Sequence, residues 1–443
     1  MLPEYLSKAR PNPASGRAPW YVNTAPSYAG VFLWIAFYQS MAQGTLERAG
    51  LGVCLLALLI AGLLSFGLYY YVPAMLGMKT GYPLYVVGSS TFGTKGGYLM
   101  PGLLMGLLQI GWFAVGTFFS TRFILTGAGM DATPGTPAFI AVAIVWGYVM
   151  AYIGVKGIQY VARVSLFLNL IPFLMILLVF FQTREGIASY TVPDPNAFVA
   201  FTLLLQIVIG FFATAGAAGA DFGMNARHEQ DVRWGGLVGI ALAILYAGGL
   251  PLMSVAGAKG LNPGLTSMSY DAVIGSLGGF LASGMLFLFA IASITPACFC
   301  AFIAGNSFST MIPGVSRMAS TMAGVTVAIL LAVTGAAENL VAFFSIVGAS
   351  FGPICGAMAA DYLLSGGRWS GPREGINLAG YGAWAVGFLV GILPFLPVSE
   401  QVKAYSQPAV VYSFLTGFVL YIALAKAGLQ PKVVPMNVES ASA

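Results

Sequence analysis

Charge is what this sequence has least of. Asp, Glu, Lys and Arg make up 7% of its residues and there is a single histidine, against about 25% charged residues in a soluble domain. With 58% of residues hydrophobic and a mean hydropathy of +0.86, a water-soluble fold is excluded. The same scarcity removes chemistry. His228 lies in the charged stretch Arg227-His-Glu-Gln-Asp-Val-Arg233 and reads as solvated surface. No paired histidines, Ser/His/Asp set or carboxylate cluster can be assembled, so neither an enzyme nor a resident metal is expected. The four cysteines, Cys54, Cys298, Cys300 and Cys355, all fall in apolar runs. The Cys298/Cys300 spacing is not that of a metal knuckle, which leaves packing as their role. No Walker A sequence appears and no connection is long enough for a nucleotide-binding domain, so an ATP-driven pump is disfavoured. The net charge of +5 is scattered over many loops, which argues against a nucleic-acid partner.

What the chain has instead is apolar runs, each about the 20 residues needed to cross a bilayer. Between Gly, Pro and charge punctuation they fall near 26–46, 50–72, 98–127, 137–154, 161–181, 198–219, 234–256, 277–304, 319–335, 340–364, 378–396 and 408–427. The expectation is an all-α integral membrane protein of about twelve spans. The first 25 residues are polar and Pro-rich, so the first span is expected to direct insertion in place of a cleaved leader. With the N-terminus inside, Arg163 and most other basic residues fall on the inner face. Only Arg48, Arg122, Arg184, Lys259 and Lys403 are left outside. The positive-inside rule then places both termini in the cytoplasm. The bilayer is the evident partner, and no obligatory protein partner is indicated.

Several spans carry features that bear on function. The first, Ser27 to Thr45, has glycines at both ends and Gln39, Ser40 and Gln43 in its second half. Such a helix can break, and freed carbonyls and helix ends then supply ligands at the midplane. A continuous helix with polar residues at its outer end is the other reading. The sixth contains Gly210-Phe-Phe-Ala-Thr-Ala-Gly-Ala-Ala-Gly-Ala-Asp221, with Phe212 and Thr214 at a glycine-bearing centre. Breaks in spans one and six are what two inverted five-helix repeats with two added helices predict. In the third span Gln109 and Trp112 are three apart, hence on one face. An indole plane stacks on a flat ring while an amide offers its edge both a donor and an acceptor. An interfacial tryptophan is the alternative. In the eighth, Pro296 removes a backbone donor and frees the carbonyl of Ala292 to act with the Thr295 hydroxyl on a cation; a plain proline kink reads equally well.

Ordered stretches along the chain resemble the nucleobase:cation symporter-1 family, the purine/cytosine permeases and hydantoin transporters. They are Trp20-Tyr-Val-Asn-Thr-Ala-Pro26, Phe92-Gly-Thr-Lys-Gly-Gly97 with Gln109-Ile-Gly-Trp-Phe113, Gly219-Ala-Asp-Phe222, and Pro353-Ile-Cys-Gly-Ala-Met-Ala-Ala-Asp-Tyr-Leu363. The resemblance implies a leucine-transporter-like fold, with repeats at about 26–181 and 198–364, two further helices over 365–427, and cytoplasmic tails at 1–25 and 428–443. It also implies import of a nucleobase-like or related heterocycle across the cytoplasmic membrane by alternating access. Trp112 and Phe212 would stack on the solute, with Gln109, Thr214 and Gln39 as polar neighbours. Phe32, Ile35, Ala292 and Thr295 correspond to a sodium site, although Pro296 stands where sodium-using members carry a second hydroxyl, so sodium, a proton or uniport stay open. Ala292 and Ala297 replace the span-eight asparagines of cytosine permeases, which disfavours cytosine itself. An amine or amino-acid carrier, a channel or a sensor on the same fold is the alternative.

Overall fold

A computed structural model describes residues 2–436, apart from the side chains at 158–160, 162–163 and 165–166 within one helix. Met1, residues 437–443 of the expected C-terminal tail and the Arg163 side chain thus lie outside the described residues. The described residues are helices and connections, with isolated bridges only at Ala18–Ala226 and Arg373–Val433. Among the described residues nine helices are long and apolar enough to cross a membrane: Leu51–Thr80, Gly96–Gly127, Pro137–Gly157, Phe167–Ser189, Ala197–Ala217, Glu229–Leu261, Gly279–Met311, Leu340–Leu364 and Ala409–Lys426. They are spans two to eight, ten and twelve. The shorter Arg317–Val333 and Leu378–Gly391 are the ninth and eleventh. The first is a pair of short helices, Thr24–Phe32 and Ile35–Tyr38.

Local chemistry sets where these helices start and turn. Asn196, Ser316, Asn339 and Asn377 each accept a backbone N–H with the side chain, opening spans six, nine, ten and eleven. Span seven begins at Glu229 rather than near 234, because His228 Nδ1 accepts the Asp231 N–H at 3.3 Å and caps an extra polar turn. Spans four and five run on as Pro137–Thr183, in which Gly157 leaves helical geometry at φ −122 and ψ 15.

Spans one, six and eight are interrupted. Trp34 is extended, with φ −70 and ψ 128, and the Leu33 carbonyl accepts the Tyr38 hydroxyl at 3.3 Å instead of a helical amide. The first span therefore ends at Tyr38, and 39–48 are turns rather than the continuation expected to 46. Span six stays helical through Gly210 and Gly216 and turns only at Ala218, before a last short helix, Gly219–Gly223. Span eight turns at Ser293, whose N–H is shared between the carbonyls of Phe289 and Ala290.

Small residues let these pieces touch, as membrane helices require. A Cβ at Gly77 would lie 2.1 Å from the Ala220 carbonyl oxygen, and one at Gly223 would lie 2.1 Å from that of Ala74. Span two and the end of span six thus meet backbone to backbone. The two ends of the chain share one face of the bundle. Tyr5 donates to the Thr94 carbonyl at 2.8 Å, Thr94 N–H donates to Arg373, and Glu374 N–H donates to the Lys432 carbonyl.

Candidate functional site

Trp112 lies in span three, 5% exposed, and its Nε1–H donates to Thr214 Oγ1 of span six at 3.1 Å. Four rings surround it. Phe344 of span ten lies 5.4 Å away at 30°. Phe343 and Phe211 present edges at 4.9 and 5.0 Å. Trp34, at the break of span one, is 5.7 Å away at 52°. Edge-to-face contact suits the charge distribution of aromatic rings, and the single indole hydrogen bond fixes the plane of Trp112 within this box.

Phe212 is not among these rings. It stacks on Phe32 at 5.5 Å and 24° and meets Tyr28 at 5.5 Å. Successive helical residues face about 100° apart, so Thr214 shares its face with Phe211, three residues earlier, and Phe211 occupies the place expected of Phe212. Gln109 is buried near Trp112, with Nε2 reaching only the weak acceptor Met105 Sδ at 3.7 Å. Its amide keeps most of its hydrogen-bonding capacity. Gln39 does not turn inward. Its Oε1 accepts the Asp271 N–H at 3.3 Å and its carbonyl accepts that of Tyr270 at 2.9 Å, opening the short helix Tyr270–Ser276 between spans seven and eight.

The breaks of spans one and eight are neighbours across Gly116. A Cβ there would lie 3.2 Å from Trp34 Cζ2 and 3.9 Å from Ala297 Cβ. Ala292 and Ala297 bring no polar side-chain atom. Phe32 and Ile35 flank the first break and are buried. The Ile35 carbonyl already accepts the Gln39 N–H at 2.8 Å, with a second lone pair left. Thr295 Oγ1 is buried without a hydrogen-bond partner among the described residues, and Pro296 has no N–H to offer the Ala292 carbonyl. The orphaned Thr295 hydroxyl and the Ala292 carbonyl that Pro296 leaves free are oxygen donors on one helix, of the kind a hard cation such as sodium takes. Thr117, Ser120 and Thr121 continue the orphaned hydroxyls along span three. Among the described residues no group of His, Cys, Asp or Glu is arranged to hold a metal.

Phe211, Phe343, Phe344 and Trp34 escaped sequence reading as site residues. The Phe343-Phe344 pair in span ten and a tryptophan next to a helix break are the signals that carried them.

No family model matches the chain. Cytosine permeases of Escherichia coli strain K12 and of Escherichia coli O157:H7 are each 26% identical to it over 354 residues, 76% of this chain and 78% of the permease. Among solved structures, the inward-facing conformation of Mhp1 matches with a TM-score of 0.72 at 14% identity, over 99% of this chain and 98% of that one. Mhp1, a nucleobase-cation-symport-1 family transporter, closed with bromovinylhydantoin bound, matches at 0.68 and 16% identity, over 94% and 95%. A substrate-bound, outward-open Na+-coupled sialic acid symporter matches at 0.58 and 14%, over 97% and 93%. The chain is thus an all-helical, multi-pass membrane protein with the leucine-transporter-like fold of these carriers.

Proposed function

We propose that this protein is a secondary transporter of the nucleobase:cation symporter-1 type, which imports an uncharged nucleobase-like heterocycle across the cytoplasmic membrane by alternating access, both termini inside. The observation that carries this is the box around Trp112, a fixed indole plane with the unspent Gln109 amide three residues away and a helix break on either side. Every side chain in the box is uncharged, which suits a neutral flat ring. Trp112 supplies the stacking face, Gln109 reads the ring edge, and Thr214 holds the indole in register. The similarity to cytosine permeases supports the class of solute, while Ala292 and Ala297 point away from cytosine itself. Phe32, Ile35, Ala292 and Thr295 would hold a coupling sodium ion, which would supply charge between two broken helices. On this reading the tails are 1–25 and 428–443, the repeats about 26–181 and 198–364, and the added helix pair 365–427.

The same box would also suit a methylated ammonium through cation–π attraction. Uptake of radiolabelled uracil, hypoxanthine and glycine betaine into cells expressing the protein separates the two readings. A base should be taken up and the betaine should not, and Trp112→Ala should abolish uptake while membrane expression persists. Unchanged uptake by that variant would remove the site assignment, and uptake of the betaine alone would remove the heterocycle.

A further inference from the structure

We propose that the indole N–H of Trp34 donates a hydrogen bond to the transported solute, which therefore carries an acceptor at that edge, best an exocyclic carbonyl. This rests on the reading of the chain as a carrier of neutral heterocycles. Trp34 is the extended residue at the break of span one, 7% exposed, and its Nε1–H has no partner among the described residues. Buried indole N–H groups ordinarily find one. Three others here do: Trp112 donates to Thr214, Trp369 to the Val87 carbonyl at 2.9 Å and Trp384 to the Ser350 carbonyl at 3.0 Å. Trp146, also unpartnered, lines a groove with the exposed residues Val145 and Val149, away from any helix break.

Placement makes the Trp34 donor specific. Trp34 packs against Gly116 through its six-membered ring, with Cζ2 3.2 Å and Cη2 3.8 Å from the position of a Cβ and the small Ala297 alongside, a contact that leaves the neighbouring Nε1–H unspent. A glycine and an alanine admit a large ring where neither supplies a polar atom. From span one the indole N–H is the side-chain donor carried at the break itself, beside the stacking plane of Trp112. Indole donates and cannot accept. A ring carbonyl satisfies it, whereas an exocyclic amine meets donor with donor and leaves both unpaired.

The test measures equilibrium binding of uracil, hypoxanthine and their thio analogues 2-thiouracil, 4-thiouracil and 6-mercaptopurine to the purified full-length protein and to Trp34→Phe. Sulfur is the poorer acceptor, so one oxygen-to-sulfur exchange should weaken binding to the wild type. Trp34→Phe should bind the parent base about tenfold less tightly, keep the unliganded melting temperature, and be indifferent to that exchange, as expected when one partner of a contacting pair is already gone. Wild-type affinity in Trp34→Phe, or undiminished sulfur sensitivity, would overturn the role of Trp34 and leave the transporter reading standing. Binding of none of these bases by the wild type would remove both. Should Trp34→Phe fail to fold, Gly116→Ala decides. Its methyl pushes the ring aside and should likewise weaken the parent base and erase sensitivity to sulfur, and unaltered binding and sensitivity there would count against the proposal.

Discussion

Thr214 and Thr295 are two buried threonines with opposite hydrogen-bonding states, and each makes a prediction. Thr214 accepts the Trp112 indole N–H. Thr214→Val keeps the volume and strands a buried donor, at a cost of about 1–3 kcal/mol. Apparent affinity for the solute should fall about tenfold or more in uptake assays, with Thr214→Ser close to wild type. Thr295 Oγ1 has no partner. If it serves a sodium ion, NaCl should raise the melting temperature of the purified protein above that in KCl through linkage, and Thr295→Val should erase the difference. Equal melting in both salts for the wild type would remove sodium and leave a proton or uniport. Residue type, spacing and the family resemblance nominate Trp112, Gln109, Thr214 and Thr295 in the sequence, and the Thr214→Val and Thr295→Val variants test two of them. The sequence could not choose between Phe211 and Phe212, since that depends on helix rotation about its axis, nor show that Gln39 is spent on the Asp271 N–H across 232 residues of chain.

Among elements, glycines misled where helices break. Gly210 and Gly216 read as hinges, yet span six is helical through both. A Cβ at Gly210 would lie 2.5 Å from the Phe344 carbonyl oxygen and one at Gly216 would lie 2.6 Å from Tyr69 Cβ. These glycines are contact points, and the chain turns just beyond them at Ala218. The short helix Tyr270–Ser276 was equally invisible, because its apolar content is too brief to register as periodicity. It covers the face opposite the termini. Arg122 of span three pairs with its Asp271 at 3.3 Å and with Glu338, between spans nine and ten, at 2.8 Å. Beneath it Tyr270 meets Tyr38 at 5.0 Å and Phe289 at 6.2 Å. A partly exposed ion pair contributes only about 0–1 kcal/mol, which suits a contact that the proposed alternating access would open in each cycle. Arg122→Gln should release this cover without unfolding the protein. A cysteine introduced at Ser120, buried below it, should then react several-fold faster with a membrane-impermeant thiol reagent than in the Arg122 background. Equal rates would show that Arg122 does not hold the cover shut.

Across the whole molecule, hydropathy was enough to count the spans, because span length depends on the bilayer rather than on tertiary packing. What joins the repeat core to the two added helices needed coordinates. Arg373, between spans ten and eleven, pairs with Asp361 of span ten at 2.9 Å, both side chains less than a tenth exposed. Ser90 and Thr91, between spans two and three, donate to the same carboxylate at 2.7 and 3.3 Å. Asn377, at the start of span eleven, donates to the Thr91 carbonyl at 2.9 Å and to Tyr421 of span twelve at 3.3 Å. One buried pair thus ties the connection between spans two and three to spans ten, eleven and twelve. A buried ion pair adds little net stability, but removing one member leaves an uncompensated charge at a cost of about 3–5 kcal/mol. Arg373→Met should therefore sharply reduce the yield of monodisperse protein, a loss independent of any substrate. Adding Asp361→Asn removes the stranded charge while still accepting from Ser90, so the double variant should recover most of that yield by size-exclusion chromatography. A double variant no better than the single one would place the loss in the packing of the arginine stem, and the join between core and added helices would then rest on its neutral contacts, those of Asn377 and Tyr421 and the Trp384 donation to the Ser350 carbonyl among them.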